Sequence, residues 1–334
     1  MIIFQVLLGG ITRLTGSGLS ITEWKPIMGT LPPLNESEWN KAFDGYKQIA
    51  QYHYLNSHFT LEEFKSIFFW EWLHRVWARL LGVVFGIGFI YFLVKKYFDR
   101  DMVIPLVILF LLGAAQGLVG WIMVQSGLNT TDLYVDHIKL SIHFIAALIL
   151  LCYTLWFALK LLIPDHKIVQ NTFLHKITVA IIVLLGIQLI YGAFMAGLKA
   201  APYAPTFPTI NGEWVPDNVF TKSWINDHVN VHFVHRQLAY LLSTIIILWF
   251  FALRRLTRSY ENSHLIRKLA WWPLILVITQ VVLGAFTVLS APKMGASQFG
   301  SYELLAEAHQ LVAMFLLISL FINLYLVKRT TPGS

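Results

Sequence analysis

Cysteine and charged side chains are both scarce in this chain. Its 334 residues include one cysteine, Cys152, and only 13% are charged. A single cysteine excludes an internal disulfide bond and any metal site built on paired cysteines. Soluble domains carry about 25% charged residues, so the low fraction excludes an ordinary soluble protein. With 57% hydrophobic residues, the composition is typical of a protein that crosses the lipid bilayer several times.

A transit peptide rich in arginine and serine does not precede the first apolar segment. This favours a bacterial inner membrane over the membrane of an organelle that imports its proteins. The formal net charge of +7 could indicate a nucleic-acid partner. However, the basic residues lie in short connections between apolar segments, where membrane orientation explains them. We therefore expect no nucleic acid.

Long apolar segments predict an all-α polytopic membrane protein. They are continuously apolar, whereas the strands of a membrane barrel alternate in polarity. Residues 1–11 are too few to span, since a spanning helix needs about 20 residues, so we expect an incomplete first helix. Residues 12–66 read as a long polar external loop. The further predicted spans, which bring the count to eight helices, are 67–94, 102–125, 138–163, 173–197, 229–252, 270–290 and 303–327.

Basic residues mark alternate connections, and this pattern predicts the orientation. Short cytoplasmic loops carry an excess of lysine and arginine. The opposite ends, with loop 12–66 and segment 198–228, then face the periplasm. The basic residues that set this orientation are Lys95, Lys96, Arg100, Lys160, Lys167, Lys176, Arg254, Arg255, Arg258, Arg267, Lys268, Lys328 and Arg329.

The second half of the chain repeats the first. A His-Arg pair opens one helix of each half, and a glutamine four residues before a glycine lies in the next helix of each half. Four helices per half make the two copies parallel in orientation. We predict two pseudo-symmetric four-helix bundles, residues 1–163 and 164–334. The repeated residues are His74, Arg75, Gln116, Gly120, His143, His235, Arg236, Gln280, Gly284 and His309.

Four of the twelve histidines lie inside predicted helices, near the same membrane face: His74, His143, His235 and His309. A single intramembrane histidine often serves helix packing. Two imidazoles from alternate helices of one bundle are instead what axial ligation of a heme iron requires. The sequence therefore predicts one heme pocket in each bundle, with these four residues as iron ligands.

Three other features leave alternatives open. His228, His232 and His235 share one helix face and could hold zinc, but no nearby acid or cysteine clearly completes such a site. Arg75 and Arg236 could bind heme propionates or extend toward lipid headgroups. Glu71 lies one turn before His74, where a carboxylate can relay protons, whereas the second half has His232 at that position. This difference places the chemistry in the first half and a permanent electron carrier in the second.

At these residues the chain resembles the heme A synthase family. The matching segments extend over nearly the whole sequence and keep the family's order. They are residues 9–20, Trp24, residues 29–33, Glu71 with His74 and Arg75, residues 120–128, residues 230–236, and His309 with Gln310.

The resemblance implies oxidation of the C8 methyl group of heme O to the formyl group of heme A, for assembly of heme-copper terminal oxidases. It implies that His74 and His143 hold the substrate heme, that Glu71 is catalytic, and that His235 and His309 hold a resident heme b. Heme O synthase and terminal oxidase assembly factors are the implied partners, and a homo-oligomer stays open. The external cysteine pair of some bacterial members is absent, which is similar to the proteobacterial and mitochondrial branch.

A non-catalytic diheme membrane carrier of the b type is the alternative, since it also needs four histidines. Carriers that move electrons across a membrane place hemes at two depths, whereas these four ligands lie near one face. A carrier also has no need of Glu71. A transporter built on the repeat would show broken helices at the membrane midplane, and no such pattern is present in the sequence.

Overall fold

The computed structural model describes residues 1–23, 28–217 and 219–330, and this part of the chain is almost entirely helical. Two short strands, β1 (Val169–Gln170) and β2 (Val327–Lys328), form its parallel pair, in which Val169 lies opposite Val327. The α-helices of the described residues are α1 (Ile2–Leu14), α2 (Glu36–Tyr46), α3 (Leu61–Val94), α4 (Arg100–Gln125), α5 (His137–Leu162), α6 (Thr172–Gly197), α7 (His228–Leu256), α8 (His264–Leu269), α9 (Trp271–Ser290) and α10 (Ser301–Tyr325).

Seven helical segments are long and apolar enough to cross a membrane, and they contain α3, α4, α5, α6, α7, α9 and α10. The predicted all-α membrane fold is therefore confirmed. Helix α1 has 13 residues, which at about 1.5 Å per residue gives about 20 Å. This is less than the ~30 Å hydrocarbon core of a bilayer, as the short first segment predicted.

The prediction of a plain polar loop over residues 12–66 is wrong. Helix α1 continues to Leu14, and α2 and a π-helical turn at Tyr52–Asn56 lie within the predicted loop. Helix α3 begins at Leu61, six residues earlier than predicted, because Thr60 and Glu63 form a reciprocal capping box at its start. Its first turns are polar, so the apolar pattern alone could not locate this end.

Residues 15–60 form a folded segment, the cap, whose described residues share an apolar core with the first turns of α3. Aromatic side chains dominate this core, which explains how a segment of polar composition folds. The motif residue Trp24 lies outside the described residues. The buried core residues are Leu19, Phe43, Tyr46, Ile49, Phe64, Ile67 and Phe68.

The chain forms two compact units. The first contains residues 1–150 and 297–299. The second contains residues 151–296 and continues from Gly300, and in it α6 packs on α7 and α9 packs on α10. The bundle boundary that we predict after residue 163 stays a prediction.

Candidate functional site

His235 and His309 come together in the second unit. They lie near the starts of α7 and α10, and their ring centroids are 6.4 Å apart with an interplanar angle of 72°. A metal–imidazole bond is about 2 Å long and a ring centre lies about 1.1 Å from its nitrogen, so two imidazoles on opposite sides of one metal have centres about 6.3 Å apart. The observed separation fits axial ligation of one iron by both rings.

Each of these two imidazoles packs against a glycine of the preceding long helix. A Cβ atom placed on Gly192 would lie 3.3 Å from Cε1 of His235, and one on Gly284 would lie 2.9 Å from Cε1 of His309. Any larger residue would push the imidazole away. The glycines therefore create the space that the histidine rings occupy.

A glutamine one turn before each glycine contacts the same imidazole. Nε2 of Gln188 lies 3.4 Å from Nε2 of His235, and Nε2 of Gln280 lies 3.1 Å from Nε2 of His309. The backbone of Gln188 and that of Gln280 also lie within hydrogen-bonding range of the same two rings. Each glutamine therefore offers its imidazole a side-chain and a backbone polar group.

The first unit repeats this arrangement around His74. A Cβ atom placed on Gly9 would lie 3.1 Å from Cε1 of His74. Nε2 of Gln5 lies 3.2 and 3.3 Å from the two ring nitrogens and donates to the backbone carbonyl of His74 at 3.2 Å. The helices that meet here are α1 and α3.

His143 completes the set. A Cβ atom placed on Gly120 would lie only 2.7 Å from its Cε1. Nε2 of Gln116 lies 3.1 Å from its Nδ1 and donates to its backbone carbonyl at 3.0 Å. His143 is also within electrostatic range of His74. Each unit thus brings together the two histidines that the sequence paired, and these donor sets fit a heme iron.

One local pattern occurs four times: a glutamine is followed four residues later by a glycine, and both face a histidine. The sequence analysis recognised only part of this regularity. That reading paired Gln116-Gly120 with Gln280-Gly284 but missed the other two copies, Gln5-Gly9 and Gln188-Gly192. A search for glutamine and glycine one turn apart in apolar helices would have found all four. The repeat unit is therefore a pair of helices, used four times.

Glu71 is held by contacts with the cap and with Arg75. It is almost completely buried, and its Oε2 accepts hydrogen bonds from the Ser20 hydroxyl at 2.7 Å and the Ile21 amide at 2.8 Å. Arg75 donates to its Oε1 and also to the Ile21 carbonyl. The carboxylate thus joins α3 to the first residues of the cap.

Arg236 holds a loop in the second unit. Its guanidinium donates to the backbone carbonyls of Ala204 at 2.9 Å, Thr209 at 3.0 Å and Pro208 at 3.4 Å. The two alternatives for Arg75 and Arg236, a heme propionate or a lipid headgroup, stay predictions beside these protein contacts. Both guanidiniums donate to backbone carbonyls of a segment that precedes their own helix in the chain, Ile21 for Arg75 and residues 204–209 for Arg236.

The three histidines at the start of α7 have different surroundings. His228, expected in the external loop, is instead the first residue of the helix and stacks on Tyr203 with centroids 4.0 Å apart. His232 is buried, and neither of its ring nitrogens has a hydrogen-bond partner among the described residues. Within the described ranges, no group of three or more histidine, cysteine or acidic residues is arranged to hold a metal ion.

Two buried acids near His309 were missed by the sequence reading. Glu303 and Glu307 lie on the first turns of α10, and Oε1 of Glu303 accepts a hydrogen bond from the Gly295 amide at 2.8 Å. Their spacing of four residues on one helix face, just before a histidine, is the signal that could have identified them.

Comparison with known proteins gives the family. Residues 1–321 match the family model of COX15-CtaA, described as cytochrome oxidase assembly protein. The chain is 37% identical to the heme A synthase of Flavobacterium johnsoniae, with 98% of this chain and 95% of the relative covered. It is 40% identical to the heme A synthase of Parvibaculum lavamentivorans, over 86% of this chain and 83% of the relative.

A third relative, the heme A synthase of Paracoccus denitrificans, is 36% identical over 95% of this chain and 83% of its own length. No solved structure matches. The matched segment contains all four paired histidines and Glu71. The chain belongs to the COX15-CtaA family of cytochrome oxidase assembly proteins.

Proposed function

We propose that this chain is a heme A synthase, a membrane oxidoreductase that converts the C8 methyl group of heme O into the formyl group of heme A. The reaction is inferred from relatives that are named heme A synthase and are 37% and 40% identical to this chain. One structural observation supports the heme chemistry: each unit holds two part-buried histidines in matching cradles of glutamine and glycine. Two histidines per unit are the number that one hexacoordinate heme needs.

The two units have different tasks in this proposal. His74 and His143 hold the iron of heme O, the substrate, beside Glu71 and the cap. His235 and His309 hold heme b, which when bound supplies one-electron redox chemistry. The conversion of a methyl to a formyl group proceeds through successive two-electron oxidations, so the reaction needs redox chemistry of this kind.

The chain's own residues supply binding, orientation and proton handling. The glycines let the imidazoles approach the helices, and the apolar helices exclude water from the porphyrin. Glu71, beside the cap and one turn before His74, holds or releases a proton next to the substrate site. Arg75 pairs with this carboxylate and fixes its position.

The membrane surrounds the proposed heme sites. Basic residues mark the ends of the helices remote from the four histidines, so the heme sites face the periplasm of a bacterial inner membrane. In this proposal a heme O synthase supplies the substrate, and oxidase assembly factors receive heme A.

Extraction and mass analysis of the pigments of the purified protein test this proposal. We expect b-type heme together with o- or a-type heme. A His143→Leu variant should lose the o- or a-type species and keep heme b, and a His309→Leu variant should lose heme b. His166→Gln, a change at an exposed residue, serves as control and should keep both. A single b-type species bound by both units would contradict the enzyme and indicate the diheme carrier.

A further inference from the structure

We propose that the second unit binds the phosphate group of an anionic membrane lipid in a cavity between the end of α7 and the start of α9. This cavity, the basic cavity, has a volume of about 480 Å³. Three permanent cations line it, Arg254, Arg267 and Lys268, and of its described lining residues only Glu261 is acidic. The basic cavity contains none of the residues assigned to heme, so the inference does not depend on the proposed function.

The basic cavity lies at the depth of lipid headgroups. Helix α7 has 29 residues, which at about 1.5 Å per residue gives about 44 Å, enough to cross the ~30 Å hydrocarbon core of a bilayer. His235 lies near the start of this helix and Arg254 lies in its last turn. The basic cavity is therefore at the membrane surface remote from the histidines, the surface predicted to be cytoplasmic. Anionic lipids give the cytoplasmic leaflet its negative surface potential.

The three cations of the basic cavity lack a counter-ion. Within residues 1–23, 28–217 and 219–330, none of them forms an ion pair with a carboxylate, and this includes Glu261. Cations that line one cavity repel one another, and an anion bound between them removes this repulsion. A phosphate group suits the site because the forked N–H groups of a guanidinium donate to two of its oxygens at once.

Arg254 is held in position by aromatic rings. The carbon atom at the centre of its guanidinium lies 5.7 Å from the ring centre of Phe250 and 5.4 Å from that of Trp271. These two rings pack on each other with their centroids 4.7 Å apart. Aromatic contact restricts an arginine side chain and still allows its N–H groups to bind phosphate. Arg254 therefore loses less conformational entropy when it binds a ligand than a free side chain would.

The loop after α7, which forms one wall of the basic cavity, is also fixed. Nδ2 of Asn262 donates to the Ile168 carbonyl at 2.7 Å, and the Tyr260 hydroxyl donates to the Gln170 carbonyl at 3.2 Å. These bonds join the loop to the segment that contains β1. The backbone at Glu261 therefore has a defined position, and the cavity is formed before a ligand arrives, as is usual for binding sites.

The surface beside the basic cavity favours a lipid over a soluble anion. Phe251 lies one turn before Arg254, Ile275 lies one turn after Trp271, and both Phe251 and Ile275 are exposed. The acyl chains of a lipid whose phosphate group occupies the cavity can pack against these side chains. A free phosphate ion would gain nothing from them. In addition, exposed tryptophans such as Trp271 are typical of the interface between lipid and water.

Native mass spectrometry of the purified full-length protein in a neutral detergent tests this proposal. The probe is dioleoyl phosphatidylglycerol, and dioleoyl phosphatidylcholine, which has no net charge, should bind more weakly. Each basic residue near an anionic lipid strengthens binding about fivefold, so an Arg254→Gln/Arg267→Gln double variant should bind phosphatidylglycerol about 25-fold more weakly. Glu261→Gln removes a like charge from the cavity and should bind this lipid more tightly than the wild type does.

Two controls accompany these variants. An Arg255→Gln/Arg258→Gln double variant removes two charges from the same end of the second unit, but neither residue lines the basic cavity. It should bind phosphatidylglycerol as the wild type does. Inorganic phosphate, added at the concentrations used for the lipid, should bind more weakly than phosphatidylglycerol, because it lacks acyl chains.

Four results would overturn the inference. Unchanged affinity in Arg254→Gln/Arg267→Gln would remove these cations from the site, and equal weakening in both double variants would mean that overall surface charge attracts the lipid. Inorganic phosphate that binds as tightly as phosphatidylglycerol would assign the cavity to a soluble anion. Unchanged or weaker binding by Glu261→Gln would place the lipid elsewhere. If gel filtration shows that Arg254→Gln/Arg267→Gln does not fold, Glu261→Gln decides alone. Heme content enters none of these measurements, so they fail or succeed separately from the proposed function.

Discussion

Oε1 of Glu71 lies 2.5 Å from Nη2 of Arg75, one helical turn later in α3. The two side chains form an ion pair in which the carboxylate is almost completely buried and the guanidinium is mostly buried. Breaking such a pair by removing one partner costs about 3–5 kcal/mol, because the remaining charge stays buried and unpaired. Glu71 therefore has two roles to separate: it holds the cap through hydrogen bonds, and in the proposed function it exchanges a proton.

Replacing Glu71 with glutamine separates these roles. Glutamine can still accept hydrogen bonds from Ser20 and Ile21, but it cannot exchange a proton. Arg75 is 19% exposed and keeps its hydrogen bond to the Ile21 carbonyl, so its charge is not left without a partner. We expect the Glu71→Gln protein to accumulate in membranes with its heme b, while the yield of heme A falls by roughly 10²–10⁴-fold, the usual contribution of a general acid or base.

Ser20→Ala is the matched control for this experiment. It removes one neutral hydrogen bond to the same carboxylate, which costs about 1 kcal/mol, and leaves the charge in place. Heme A formation should persist in it. Wild-type levels of heme A in the Glu71→Gln strain would remove the catalytic role from Glu71.

The glycine cradles predict which glycine-to-alanine changes harm heme binding. A Cβ atom on Gly120 would lie 2.7 Å from His143, whereas one on Gly117, in the same helix, would meet no described atom within 4 Å. We expect Gly120→Ala to displace the imidazole and reduce bound o- or a-type heme. Gly117→Ala should leave heme content unchanged and stabilise the helix by about 0.5–1 kcal/mol. Absorption spectra of both purified proteins check this, and equal heme content would contradict the cradle.

The same comparison applies in the second unit. Gly284→Ala places a Cβ atom 2.9 Å from His309, whereas Gly186→Ala meets no described atom within 4 Å. We expect loss of heme b in the first variant only. Because both changes are chemically identical, a difference between them reports the contact with the histidine and not helix propensity.

Arg236 gives a prediction about geometry, since a planar guanidinium reaches several carbonyls at once. Arg236→Lys keeps the charge but cannot donate to Ala204 and Thr209 with the same fixed fork, so the loop over residues 204–209 should loosen. Faster protease cleavage within this loop, with heme b still bound, is the expected result. Lys222→Gln, a change at an exposed residue, should not alter cleavage.

Tyr46 predicts how the cap responds to alkaline pH. Burial raises its pKa from the usual 10.0 to about 12, against a smaller lowering by the hydrogen bond from Asn56. Because the folded cap holds the phenolic proton more tightly than the unfolded chain, its stability is constant below pH 10 and falls between about pH 10 and 12. Limited proteolysis across this range measures the effect.

Tyr46→Phe should be less stable at neutral pH, because it loses the hydrogen bonds with Gln51 and Asn56, each worth about 1 kcal/mol. Its cleavage rate should then change less between pH 10 and 12 than that of the wild type. An equal alkaline response in both proteins would mean that other groups open the cap.

The sequence predicted most of the fold and the family, because both depend on strong local signals. Continuous apolar segments identify spanning helices, and the seven long helices and the family were confirmed. The sequence also predicted the pairing of His235 with His309, because these two residues repeat the positions of His74 and His143 in the first half. The roles of all four stay proposals.

The cap and the surroundings of Glu71 were not readable. Their structure depends on contacts between residues distant in sequence, such as Ser20 with Glu71. In addition, the first turns of α3 are polar, so the spacing of apolar residues does not show where this helix begins. The capping box at Thr60 was a local signal that could have corrected the start of α3. The partners of Arg75 and Arg236 are mostly backbone carbonyls and a buried acid, which no sequence spacing reveals.

The fourfold use of one helical hairpin has an evolutionary consequence. Each proposed iron site needs two hairpins, so duplication of a complete two-hairpin ancestor would have produced two equal sites at once. Afterwards, a substitution within a single hairpin alters only one of them. One proposed site can therefore specialise in retaining its heme while the other specialises in binding and releasing a substrate heme, and the shared fold does not change.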